Sequence, residues 1–138
     1  QAALVQTQIM SGRLRDARVE LDAALATVTE HPGVGSEQTG FDTLTWFLAM
    51  RGQLLTETGD LAGAERDLDL ALERARTLDE IETLGWTHEM RSYLARWHAD
   101  AAGARTHAEE AVRISERTGS AFSQTSAYGT LAPRTVSR

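Results

Sequence analysis

GDLAGAERDLDLAL fills positions 59–72, and ADAAGARTHAEEAV fills positions 99–112. Sliding the chain by 40 places Thr43, Leu44, Trp46, Met50, Arg51, Leu54, Asp60, Ala62, Gly63, Ala64 and Ala71 on identical residues. Unrelated sequence agrees at roughly 6–8% of positions at average residue usage, so these eleven matches mark a repeat. Sliding by 47 sets GRLRDARVELDAAL (12–25) on the same stretch. Gly12, Leu14, Ala17, Leu21, Asp22, Ala24 and Leu25 then find their equals, so the chain holds three copies of one unit.

Within the unit, Leu61, Ala64, Leu68, Ala71, Leu72 and Ala75 recur at gaps of three and four, one face of an α-helix. Leu44, Phe47, Leu48, Leu54 and Leu55 give the preceding half the same period. Gly59 suits the left-handed residue that ends a helix, and Asp60 caps the next one by accepting from its free N–H groups. Asp100 takes the same role after Ala99, where glycine is missing. So short a turn makes the two helices antiparallel. Ala17, Ala64 and Ala104, with Ala24, Ala71 and Ala111, are the small side chains that let paired helices approach, and Leu21 and Leu68 fill the gap between them. The third copy has Ala108 there, which predicts a thinner core unless Trp97 or Ile114 leans in. One hairpin cannot bury its own apolar face, so hairpins stack.

The reading is an all-α, antiparallel helix-hairpin solenoid in one domain, with about seven helices. Helices are expected at 1–10, 13–29, 41–57, 61–77, 80–97, 101–117 and 119–131, a glycine-rich loop at 30–40, and a frayed end at 132–138. Repeat one covers 1–30 with its first helix truncated. Repeat two covers 41–78, repeat three 80–118, and 119–138 is an unpaired or capping helix with a tail. The chain opens inside a helical pattern at Gln1, which points to a segment of a longer protein.

The unit resembles the tetratricopeptide repeat. Gly52 and Ser92 stand where that pattern has a small residue in the first helix, and Gly12 and Gly59 where it has the turn glycine. The small-large-small series appears as Ala17-Leu21-Ala24, as Ala64-Leu68-Ala71 and as Ala104-Ala108-Ala111. The early tryptophan is shifted to Trp46 and Trp86, the late proline is missing, and the 40-residue spacing is longer than the family's. These departures resemble the degenerate repeats of LuxR-type regulators built on a signal-transducing ATPase, and of ATPase-linked adenylate cyclases. The resemblance implies a cytoplasmic bacterial signalling protein whose first helices line a concave groove. It places Trp46, Gln53, Trp86, Glu89, Tyr93, Arg96 and Trp97 on that groove. Packing between neighbouring hairpins is the other reading of the same rings.

The 138 residues carry a net charge of −6 and no basic stripe, which argues against nucleic acid. All basic residues are arginine. Cysteine is absent, so thiolate chemistry and disulfides are excluded. No apolar run is long enough to span a membrane, and no signal peptide is visible. GDLAGA lacks the spacing of a phosphate loop and reads as a turn. His88-Glu89 lacks the second histidine of a zinc protease, since Ser92 stands there. His107 and Glu110, one turn apart, have no third ligand indicated, so His88, His107 and Glu110 read as exposed helix residues. His31 falls in the loop and His98 at a helix end. Glu109 and Arg113 form an ordinary i,i+4 pair, and Arg51 and Arg91 are expected to pair with acids on a neighbouring helix. No catalytic constellation, metal site or cofactor site emerges. The expectation is a non-catalytic module that binds a protein, a peptide or another domain of its own chain. The alternative is a small-ligand sensory segment regulating an attached ATPase, cyclase or DNA-binding domain.

Overall fold

The computed structural model describes residues 2–132, and every regular element among them is helical. The order is α1 (Ala2–Met10), α2 (Leu14–Glu30), α3 (Ser36–Thr39), α4 (Thr43–Thr58), α5 (Leu61–Thr77), α6 (Ile81–Trp97), α7 (Ala101–Thr118) and α8 (Ala121–Leu131). Eight helices stand where about seven were expected. The addition is α3, one turn inside the loop, bracketed by Gly35 and Gly40 in the left-handed region. Four residues are too few to show a period. The frayed end expected at 132–138 lies, beyond Ala132, outside the described residues.

Helices α1–α2, α4–α5 and α6–α7 pack as hairpins, and α2–α4, α5–α6 and α7–α8 join one hairpin to the next. The first helices also touch in succession, α1 to α4, α4 to α6 and α6 to α8. Each second helix is therefore wedged between its own first helix and the following one. The six alanines of the small series are all buried, at 6% exposure or less, and Leu21 and Leu68 are wholly enclosed. Hiding each of those leucines contributes about 1.5–3 kcal/mol.

The turns follow the capping pattern. Asp60 and Asp100 each accept a 2.9 Å bond from the N–H of Gly63 and Gly103. Gly59 ends α4 at φ 86, at no steric cost to a residue without Cβ. Ala99 performs the same turn at φ 57. Its N–H and that of Asp100 bond back to the Arg96 and Ala95 carbonyls, which holds the alanine there. A left-handed alanine is strained. Ala99→Gly is therefore expected to stabilise the chain by about 1 kcal/mol, read as a higher urea midpoint at unchanged slope. A lower midpoint would show that the turn carries no such strain.

Facing positions of the second and third units change together, and at one pair they exchange bulk. Gly52 on α4 faces Leu68 on α5. In the next hairpin Ser92 replaces the glycine and Ala108 the leucine, and the Ser92 hydroxyl donates to the Ala104 carbonyl at 2.7 Å. Elsewhere Gly85 lies against Ile114, whereas the hairpin before sets the polar pair Thr45 and Arg74 there, with Arg74 Nε 3.2 Å from Thr45 Oγ1. Ile114, 2% exposed, thus fills the third core, while Trp97 stands half out in solvent.

The paired arginines diverge for the same reason. Arg51 grips Asp67 with a two-pronged fork at 2.6 and 3.0 Å and reaches Asp22 at 3.7 Å. His107 occupies the position equivalent to Asp67. Arg91 turns instead to Asp69 at 3.3 Å and Glu65 at 3.8 Å, both on α5. Arg113 pairs with Glu110, not with Glu109 as expected. Glu110 is one residue nearer on the same face, close enough to meet the guanidinium with both oxygens.

Candidate binding cleft

Four successive first helices contribute to one cleft of about 300 Å³. Helix α1 supplies Gln6 and Met10, and α4 supplies Trp46, Ala49, Met50 and Gln53. Helix α6 supplies Trp86, Glu89 and Met90, and α8 supplies Phe122 and Ser126. These residues recur at three- and four-residue gaps, so each helix turns one stripe toward the opening. Met50 and Met90 are equivalent residues, as are Trp46 and Trp86, because the repeat sets the same side chains at the same phase.

The aromatic rings form a ladder. Phe41 and Trp46 lie 4.9 Å apart between centroids, Trp46 and Trp86 lie 4.0 Å apart, and Trp86 and Phe122 meet edge-on at 6.2 Å. Trp46 is half-buried and packs against the core of α2 and α4 while also lining the cleft. For Trp46, hairpin packing and cleft wall are two faces of the same side chain. Both indole Nε1 atoms are enclosed with no acceptor among the described residues. A buried donor left unanswered costs about 1–3 kcal/mol.

Glu89 lies at the base, 5% exposed. It accepts from the Ser126 hydroxyl, which ties α6 to α8. Burial raises its pKa, against the lowering effect of bonds from Ser126 and Thr130. Tyr93 and Arg96 line an adjoining hollow that shares Gln53, Glu89, Met90 and Ser126 with the cleft. The Arg96 guanidinium donates to the Thr130 carbonyl. Of the seven groove residues expected, Trp46, Gln53, Trp86 and Glu89 therefore meet in the cleft, Tyr93 and Arg96 adjoin it, and Trp97 lies on neither. The methionines, Phe122 and Ser126 were not anticipated. The repeat register pointed to Met50 and Met90, whereas Phe122 belongs to a helix with no partner copy.

Outside the cleft, His88 and His107 are not the exposed residues the sequence suggested. His88 is buried, and its Nδ1 lies 2.9 Å from Nδ1 of His107 across the α6–α7 contact. Burial first, and then the charge of His107, lowers the pKa of His88 to about 4. Burial and Arg91 lower that of His107. Among the described residues no three histidine or acidic side chains gather as a metal site, and no helix is long and apolar enough to cross a membrane. The chain matches no family model, no curated protein and no solved structure.

Proposed function

We propose that the chain is a tetratricopeptide-like module that binds a peptide segment in this cleft. The segment belongs to a protein partner or to another domain of the same polypeptide. The module itself is non-catalytic and serves a cytoplasmic bacterial signalling protein. The observation that carries the reading is the composition of the cleft. Tryptophan, phenylalanine and methionine from successive first helices face one opening, with few polar groups among them. Aromatic side chains dominate interface energetics, and methionine adapts to irregular partners. A sensory site for a small ligand is the second reading, favoured by the cleft's volume, which is at the lower end for small-molecule sites.

Selection from a displayed random-peptide library tests the first reading. Enriched peptides are expected to lose affinity roughly 30-fold against Trp86→Ala, the loss of a hot-spot ring. Phe122→Ala should also weaken them, and Phe122 is 70% exposed, so that change leaves the fold intact. Peptides that bind both variants unchanged, or a library that yields none, would refute the assignment. A metabolite that raises the melting temperature while peptides fail would favour the sensory site.

A further inference from the structure

The cleft combines three features whose chemistry points the same way. Its aromatic wall presents Trp46, Trp86 and Phe122, with centroid separations of 4.0 and 6.2 Å. Glu89, the charged residue on its lining, sits one helical turn beyond Trp86 at the base and is 5% exposed. No ion pair among the described residues reaches that carboxylate. Arg51, Arg74, Arg91 and Arg113 are bound to Asp67, Asp42, Asp69 and Glu110, and Arg96 is engaged with the Thr130 carbonyl.

A carboxylate held out of water without a counter-charge is costly, and its full worth appears only when a cation arrives. Aromatic faces attract cations as well, most of all once water is excluded. The chain supplies no lysine and carries a net charge of −6, so long-range attraction draws the same sign of ligand. We infer that the cleft anchors its peptide through one basic side chain, an arginine or a lysine. The charged end meets Glu89, and the aliphatic stem lies along Trp46, Trp86 and Phe122. This inference rests on the peptide reading above and adds the class of residue that is recognised. Ser126 then acts as a positioning residue, since its hydroxyl donates to Glu89 from the neighbouring helix, with Thr130 beside the same carboxylate.

The test uses short end-capped leucine–alanine peptides with a central arginine, lysine, citrulline or glutamate, titrated against tryptophan fluorescence of the whole chain. Citrulline keeps the shape of arginine and removes its charge. The arginine and lysine peptides are expected to bind roughly tenfold more tightly than the citrulline peptide, with the glutamate peptide weaker still. Glu89→Gln should abolish the preference for arginine over citrulline. The comparison of arginine with citrulline on the natural chain needs no variant, so a poorly folded Glu89→Gln does not spoil it. Equal affinity for the two, or a preference that survives Glu89→Gln, overturns the basic anchor while the peptide reading stands. Phenethylammonium, run as a free cation, separates the sources. Binding of that amine with every peptide failing overturns the peptide source, and failure of all probes overturns both readings.

Discussion

Gly52→Leu is expected to destabilise the chain by about 3 kcal/mol or more, the upper end of overpacking effects in a closed core. A Cβ built at position 52 would stand 2.6 Å from Leu68 Cδ2 and closer still to its Cγ. Leu68 is wholly enclosed, with Ala64 and Ala71 beside it on α5, so it has nowhere to retreat. Even Gly52→Ser should cost about 1–3 kcal/mol by the same contact. Leu68→Ala alone should cost about 2–5 kcal/mol through the cavity it leaves. Together, Gly52→Ser with Leu68→Ala installs the pair that the next hairpin already carries as Ser92 and Ala108. The double variant is therefore expected to be more stable than the sum of the single losses by about 1 kcal/mol or more. Urea unfolding of the four proteins measures this directly. Strict additivity would mean that the two positions do not share one packing site, and the account of how bulk is exchanged between hairpins would fail.

That exchange explains what could be read from the residues and what could not. Helix period, caps and the alanine series are local, and they recur with the repeat, so positions such as Asp60, Ala64 and Leu68 announced themselves. The partner of a side chain on the next helix is not local. His107 stands where the preceding unit has Asp67, and nothing within its own helix reveals that it meets His88 across the hairpin. Trp97 illustrates the opposite error. It follows Tyr93 at i+4 and so shares its phase, but it is the last residue of α6 and half exposed, beyond the packed stretch. Glu89 had the right phase for the cleft, whereas its burial depends on Ser126 from α8, a helix without a repeat copy. Periodicity indicates which face a residue occupies, and only the packed neighbour decides what that face touches.

The histidine pair gives the second large effect, a loss of stability in mild acid. With two Nδ1 atoms 2.9 Å apart, one ring must donate and the other accept. Protonating both leaves two donors facing each other inside the α6–α7 contact. Burial first, and then the charge of His107, holds His88 in the folded chain at about 4, against an ordinary value of 6.5. Between those limits the unfolded chain takes up a proton that the folded chain refuses, so stability falls as pH drops. The contribution is complete above about pH 6.5, declines through the interval and is exhausted near pH 4, amounting to something on the order of 3 kcal/mol. His107, also lowered, acts in the same direction. Glu89 acts in the opposite one: its raised pKa stabilises the acid side and loses that contribution as pH rises through the folded value. His88→Leu installs the residue found at the equivalent Leu48 and removes the contribution of His88. Urea midpoints taken from pH 7 to pH 4.5 should fall steeply for the natural chain and clearly less for the variant. Equal slopes in the two proteins would place the acid sensitivity elsewhere and leave the buried pair without energetic consequence.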